Sequence, residues 1–329
     1  MRTPAGALFC ADLATLVQQF TAKFDEFALV AGDKILIVVD DERVAVSTFV
    51  AALFNGLVPV MLTPATPANR VESVQQSIHA KAAVVSLGKR QEPWLKSISH
   101  PLVFQPDLVK KSLFTRSVKG AAWVAQGLGL AAKTLQPKLP VNNSDLAYIL
   151  FTSGTTSAPS GVMISRKNLF ANVESITKVL KVGNSSIVFN DMVLAHGDGL
   201  VQGPMLCLHS GATLVRAGGF SIDSIETWLE AVRREGVTHF ITVPTVWAMI
   251  DRYAKYDDYF PQDRVETLSS VAAWLQPALW DRIETRFKRS LISQYGLTET
   301  VASALYAGSS VQAGSKYAAG IPVDCEARI

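Results

Sequence analysis

Lys34-Ile-Leu-Ile-Val-Val39, the segment 42–56, the run 58–62, the segment from Thr66-Pro67 to about His79, and Ala82-Ala-Val-Val-Ser86 follow one another closely, and their reading decides the fold. The first is a continuous apolar run of strand length. In the second, apolar positions recur at helical spacing and Gly56 ends them. Residues 58–62 form another strand, Thr66-Pro67 reads as a helix cap with proline in the first turn, and Ala82–Ser86 is a third strand. Strand, helix, strand, helix, strand predicts a parallel sheet with crossover helices, and hence an α/β protein.

The same alternation resumes farther on. Strands are expected at Leu146–Phe151, Gly161–Ser165, 212–216, 238–242, 269–272 and 291–294, with helices at 167–180, 221–235, 244–254 and 277–288. The expected organisation is a first α/β subdomain over 1–140, including an irregular connection at 89–141, and a second over 141–329. No internal repeat of solenoid length interrupts it. Gly320-Ile-Pro-Val-Asp-Cys-Glu-Ala-Arg-Ile329 alternates like a strand being entered, so the chain reads as part of a longer one.

Composition narrows the function. Of 329 residues, 49% are hydrophobic and 18% charged, which excludes a disordered or low-complexity chain. Lys plus Arg (31) barely exceeds Asp plus Glu (28) and no basic cluster stands out, so no nucleic-acid partner is expected. Cys10, Cys207 and Cys325 are odd in number and lack metal-ligand spacing, which fits a reducing compartment. No secretory signal opens the sequence. The most apolar long stretch, 120–132, is too short for a span and carries Gln126, so a soluble cytoplasmic protein is expected.

The chemistry concentrates in Phe151-Thr-Ser-Gly-Thr-Thr-Ser-Ala-Pro-Ser-Gly161, a hydroxyl-rich loop between two apolar strands. Hydroxyls and backbone N–H groups at glycine turns are the ingredients of a phosphate cradle, since each donates to a phosphoryl oxygen. A polar surface turn is the plain alternative. The loop is not that of the common nucleoside triphosphatases, because Val162 stands where they need Lys.

Tyr148 to Leu169, YILFTSGTTSAPSGVMISRKNL, resembles the signature of the adenylate-forming superfamily: acyl-CoA synthetases, amino-acid adenylation domains, fatty acyl-AMP ligases and firefly luciferase. Ser293-Gln-Tyr-Gly-Leu-Thr-Glu-Thr300 is similar to the family's aromatic-Gly-x-Thr-Glu motif, and Val243-Pro-Thr-Val-Trp-Ala-Met-Ile250 to its Val-Pro-Thr helix start. Ala195-His-Gly-Asp-Gly-Leu200 and Ser210-Gly-Ala-Thr-Leu-Val215 occupy the place of its acid-pocket motif. The resemblance implies two related, mostly parallel-sheet halves, followed elsewhere by a β-barrel and a mobile C-terminal lid. It also implies ATP- and Mg²⁺-dependent conversion of a carboxylic acid to an acyl-adenylate. Transfer to coenzyme A or to the phosphopantetheine of an acyl carrier protein then follows.

Carried over residue by residue, the resemblance places Thr152, Ser153, Gly154, Thr155, Thr156 and Ser157 around the phosphates, and Thr298 at the α-phosphate. Thr152 and Glu299 would hold Mg²⁺. Tyr295 would lie against adenine, with Ala272, Ala273, Trp274, Gln294 and Gly296 beside it. His196, Gly197, Asp198, Gly199, Trp247 and Val271 would border the acid. Thr152, Thr298, Glu299 and His196 would form the catalytic set.

Three departures stand out. Ser160 replaces the lysine usual before the last loop glycine, as fatty acyl-AMP ligases also often lack it, and Ser157 replaces a glycine. Ser270-Val-Ala-Ala-Trp274 stands where relatives have paired glycines, which implies a short pocket and a small acid. Asp198 stands where amino-acid adenylation domains keep an Asp for the substrate amino group, yet fatty acyl-AMP ligases carry one nearby without an amino substrate. Amino-acid activation for carrier loading therefore remains an alternative, as does a non-catalytic nucleotide- or acyl-binding module.

Overall fold

A computed structural model of the chain describes residues 1–104, 142, 145–152, 160–308 and 318–328. They fall into two compact units, one containing Leu8–Ile149, the other Met1–Ala7, Leu150–Thr152 and the described residues from Ser160 on. The chain opens with a small antiparallel hairpin, β1 (Arg2–Thr3) and β2 (Gly6–Ala7), which belongs to the second of these units.

The first unit starts with helix α1 (Cys10–Glu26), which buries Leu13, Leu16, Val17, Phe20 and Phe24, spaced three or four apart on one face. Strand β3 (Lys34–Val38), helix α2 (Glu42–Phe54), β4 (Val58–Met61), helix α3 (Ala68–Ile78) and β5 (Ala82–Ser86) then follow the expected alternation. A 3₁₀ turn (Pro93–Ser97) and β6 (His100–Phe104) occupy the start of the stretch expected to be irregular, and β7 (Leu146–Phe151) completes the series. The strand order is β6-β5-β3-β4-β7, every pair parallel. Ile35 to Val38 and all of β4 and β5 are buried, which is why these strands read as unbroken apolar runs rather than alternating ones. Asp41 caps α2 by accepting from the N–H of Arg43 at 2.9 Å, and α3 begins one residue after Pro67, which sits at its cap.

The second unit carries β8 (Gly161–Ser165), helix α4 (Arg166–Leu180), β9 (Ile187–Asn190), a helical segment over 197–210, β10 (Thr213–Val215), helix α5 (Ile225–Glu235) and β11 (His239–Thr242). Helix α6 (Pro244–Tyr253), β12 (Thr267–Ser270), helix α7 (Pro277–Phe287), β13 (Leu291–Tyr295), β14 (Leu305–Ala307) and β15 (Ile321–Pro322) follow. Its sheet runs β15-β14-β13-β12-β11-β9-β10-β1-β2, parallel from β13 to β1 and antiparallel at both edges. From β9 the chain steps to β10 on one side, then returns to β11, β12 and β13 on the other. Right-handed crossovers make such a reversal a topological switch point, and ligands of open α/β sheets bind outside the carboxyl ends of the strands there.

Beneath α5, α6 and α7 lies an aromatic core. Phe189 stacks on Phe240 at 4.9 Å between ring centres, and Trp228, Trp247 and Phe260 meet the two rings edge-on at 5.1 to 5.2 Å. Each such pair adds about 0.5–1.5 kcal/mol beyond the area it buries. Among the described residues, no helix is long and apolar enough to cross a membrane.

Candidate active site

Site residues gather at the carboxyl ends of β9, β12 and β13 in the second unit. After β9, Arg216 at the end of β10 donates from its guanidinium to the carbonyls of Asn190 and Met192, both at 2.9 Å, and faces the buried Asp191 carboxylate at 3.6 Å. The Asn190 side chain accepts from Met192 N–H at 3.1 Å and donates to the Asp198 carbonyl at 2.9 Å. These bonds fix the turn that delivers His196 to the N-cap of the segment 197–210, where its side chain is exposed. Gly197 is required by close approach, since a Cβ there would stand 2.2 Å from the Val301 carbonyl oxygen. Gly199 is buried against the Val193 carbonyl.

Asp198 turns inward. Its carboxylate accepts from Gln202 Nε2 at 2.7 Å, one helical turn on. Burial pushes the carboxyl above the ordinary range, opposed by the Gln202 amide and by His196.

After β13 the chain makes a crest. Tyr295 is 49% exposed at the strand end. Gly296 admits the Ala302 carbonyl, which a Cβ would meet at 1.6 Å. The turn Thr298–Thr300 caps itself: Thr300 Oγ1 accepts from Leu297 N–H at 2.8 Å and lies 3.0 Å from the Leu297 carbonyl as donor. Thr298 is half-buried and Glu299 exposed. Val301 then takes φ +75°, rare for a β-branched residue, which turns the chain back toward Gly197.

After β12, Ala272 adopts φ +69°, and Ala272, Ala273 and Trp274 are exposed, Trp274 by 68%. Val271, Trp247 and Gln294 lie deeper. Val271 is fully buried; the Trp247 indole N–H donates to the Ser269 carbonyl at 3.2 Å; Gln294 donates to Ser269 Oγ at 2.6 Å. These three pack in the core beside the crest, while Tyr295, Thr298, Glu299, His196 and Trp274 present themselves at the sheet's end. At the two ends of the hydroxyl-rich segment, Thr152 N–H donates to the Ser160 carbonyl at 3.2 Å. Ser153, Gly154, Thr155, Thr156 and Ser157 lie outside the described residues.

Among the described residues, no three His, Cys, Asp or Glu side chains converge. A cage made wholly of protein ligands is therefore not formed by them, whereas an exposed carboxylate beside a threonine suits Mg²⁺. That ion is usually held by one or two carboxylates together with substrate phosphates. An exposed aromatic ring at the strand end likewise suits a nucleotide base.

Sequence reasoning passed over Asn172, Asn190, Gln202, Arg216 and Ser303. The one available signal was Gln202, a lone amide within the otherwise apolar run 200–206, four residues after Asp198.

Fold and site together define an α/β protein in which the turn at the switch point of a parallel sheet meets an exposed crest that follows β13. Residues 6–329 match the model of the AMP-binding enzyme family, and the chain belongs to that family. It is 34% identical over 159 residues to an oxalate–CoA ligase of Arabidopsis thaliana, covering 47% of this chain and 30% of that protein. It is 24% identical over 339 residues to a CoA ligase of Gibberella moniliformis, covering 90% of this chain and 53% of that protein. The structure of ATP-bound MatB from Rhodopseudomonas palustris superposes with a TM-score of 0.81 at 19% identity, covering 98% of this chain and 61% of that one. The chain thus spans only part of the length of the relatives it matches.

Proposed function

We propose that the chain forms the acid- and nucleotide-binding part of an AMP-forming acid–thiol ligase that activates a small carboxylic acid. The observation that carries this is the meeting of two motif turns at the carboxyl end of one sheet: the Gly197 backbone seats against Val301, so the His196–Asp198 turn and the Tyr295–Glu299 crest stand side by side. Adenylate formation needs a carboxylate and an α-phosphorus held together, and phosphoryl transfer asks mainly for positioning and neutralisation of charge. In this reading Tyr295 seats the base, Thr298 orients the α-phosphate, and His196 borders the reacting carboxylate. Thr152 and the loop after it hold the remaining phosphates. Glu299, with Thr152, would hold Mg²⁺, which neutralises phosphate charge when bound. Relatives that act on short acids, the oxalate–CoA and sulfoacetate–CoA ligases, support a small acid and coenzyme A as acceptor. A carrier-protein phosphopantetheine is the alternative thiol, and cytoplasmic residence remains part of the proposal.

Asp198 gives the amino-acid reading its footing, because a buried carboxylate favours a cationic partner. The structure of VinN with L-aspartate, TM-score 0.78 at 20% identity, shows the same fold. Gln202 already supplies Asp198 with a donor, however, and this favours the plain-acid reading. AMP release that depends jointly on ATP, Mg²⁺, coenzyme A and one short acid is the expected result; AMP release independent of every acid would contradict it. With Asp198→Asn, a plain acid should keep its KM within about threefold, whereas losing a buried charge partner worth about 3–5 kcal/mol would abolish use of an amino acid.

A further inference from the structure

Gln202 is fully buried, and its Nε2 lies within donating distance of two acceptors: Asp198 Oδ1 at 2.7 Å and Ser303 Oγ at 3.2 Å. The Ser303 carbonyl in turn accepts from Asn172 Nδ2 at 2.7 Å and from the Tyr306 hydroxyl at 3.3 Å. Asn190 closes the far end on the Asp198 carbonyl at 2.9 Å. The partners Asn172, Ser303, Asp198 and Asn190 come from four different pieces of the second unit. Asn172 lies on α4, the helix that follows the hydroxyl-rich loop and β8; Ser303 ends the turn that begins at Thr298; Asp198 sits in the turn behind His196; and Asn190 ends β9. A buried amide is costly to leave unpaired, so the donor contacts of Gln202 to Asp198 and Ser303 fix the pieces that carry them.

We propose that Gln202 is a positioning residue that ties the acid-binding turn to the Thr298–Glu299 crest, holding His196 and Asp198 in register with the groups that meet the α-phosphate. The proposal rests on the acid-activation reading for its catalytic consequence, and on the hydrogen bonds alone for the tie itself. A fixed register matters because a misplacement of about 1 Å between reacting groups can cost about 100-fold in rate. The tie acts on the acid side, since the turn Thr298–Thr300 is capped by its own Thr300–Leu297 hydrogen bonds and not by Gln202.

The test uses Gln202→Met, Gln202→Glu, and Gln202→Glu combined with Asp198→Asn. Met removes the donor at similar volume. Glu places two carboxylates together, and the added Asn restores a donor–acceptor pair in the reversed sense. Expected are a rise of at least about tenfold in KM for the acid and a fall in kcat for both single variants, with ATP affinity within about threefold of wild type, following the misplacement cost above. At least about tenfold of the loss should return in the Gln202→Glu/Asp198→Asn pair, as expected for groups coupled directly. Wild-type acid kinetics in Gln202→Met, absence of rescue, or equal losses for ATP and acid would overturn the proposal. If wild-type protein activates no acid, the acid-activation reading fails separately. The tie is then judged by amide exchange in Gln202→Met and by unfolding of the swapped pair. Faster exchange at 301–303 and non-additive stabilities sustain it, and unchanged exchange with additive stabilities removes it.

Discussion

Asp198 and Tyr295 are the residues whose physical state says most about the site. Burial raises the folded-state pKa of Asp198 above its unfolded value of about 3.9, so the folded chain holds that proton more tightly. Stability from this group is therefore greatest below pH of about 4 and is lost as pH rises through its folded pKa. Asp198→Asn keeps the acceptor for Gln202 without the charge. Its stability relative to wild type should consequently grow with pH from about 4 upward, as read by urea unfolding across a pH series. A difference that shrinks as pH rises would contradict the burial argument. Tyr295 stands at the sheet's end with half its surface open, and stacking on a base is worth about 1–3 kcal/mol. Tyr295→Ala should weaken ATP binding by that amount in a calorimetric titration and leave the melting temperature nearly unchanged.

At the scale of elements, the apolar runs of β3, β4 and β5 announced themselves because parallel strands covered on both faces need no alternation. Helices α2 to α7 were legible through caps, glycine stops and N-terminal prolines. Helix α1, β9, the segment 197–210 and β6 were not read. Strand β9 has only the four residues Ile187–Asn190. The segment 197–210 opens with two glycines and carries Pro204 inside a π-helical turn, so its sequence imitates a loop. Tertiary contact stabilises that turn: Asn190, Arg216 and the Gln202–Ser303 pair supply hydrogen bonds that no local pattern reveals. The candidate site was legible as motifs, while the division between exposed crest and buried support was not. Trp247, expected to border the acid, is fully buried on α6 and meets Phe240 edge-on at 5.2 Å. Trp247→Ala should destabilise the second unit by about 3–5 kcal/mol in urea unfolding. A loss below about 1 kcal/mol would argue against a core role.

Across the whole molecule, the two units repeat one construction, parallel strands joined by helices with a reversal of strand order, at β3 between β4 and β5 in the first and at β9 between β10 and β11 in the second. In the second unit the turn after β9 stands at the reversal, and the turn after β13 reaches back to it where Val301 meets Gly197. A scaffold of this kind can carry sites of differing chemistry on the same strand ends. The family membership of residues 6–329 fixes the scaffold, and the chemistry has to be read at the site.

Isotope exchange between pyrophosphate and ATP tests that chemistry most directly, because it reports the adenylation half-reaction without requiring any thiol. The protein, in as long a form as its gene encodes, would be given ATP, Mg²⁺ and a panel of short acids, long acids and amino acids. The account predicts exchange with one or more short acids that disappears when the acid is omitted. Silence across the whole panel with ATP still bound, or exchange supported by long acids alone, would contradict it.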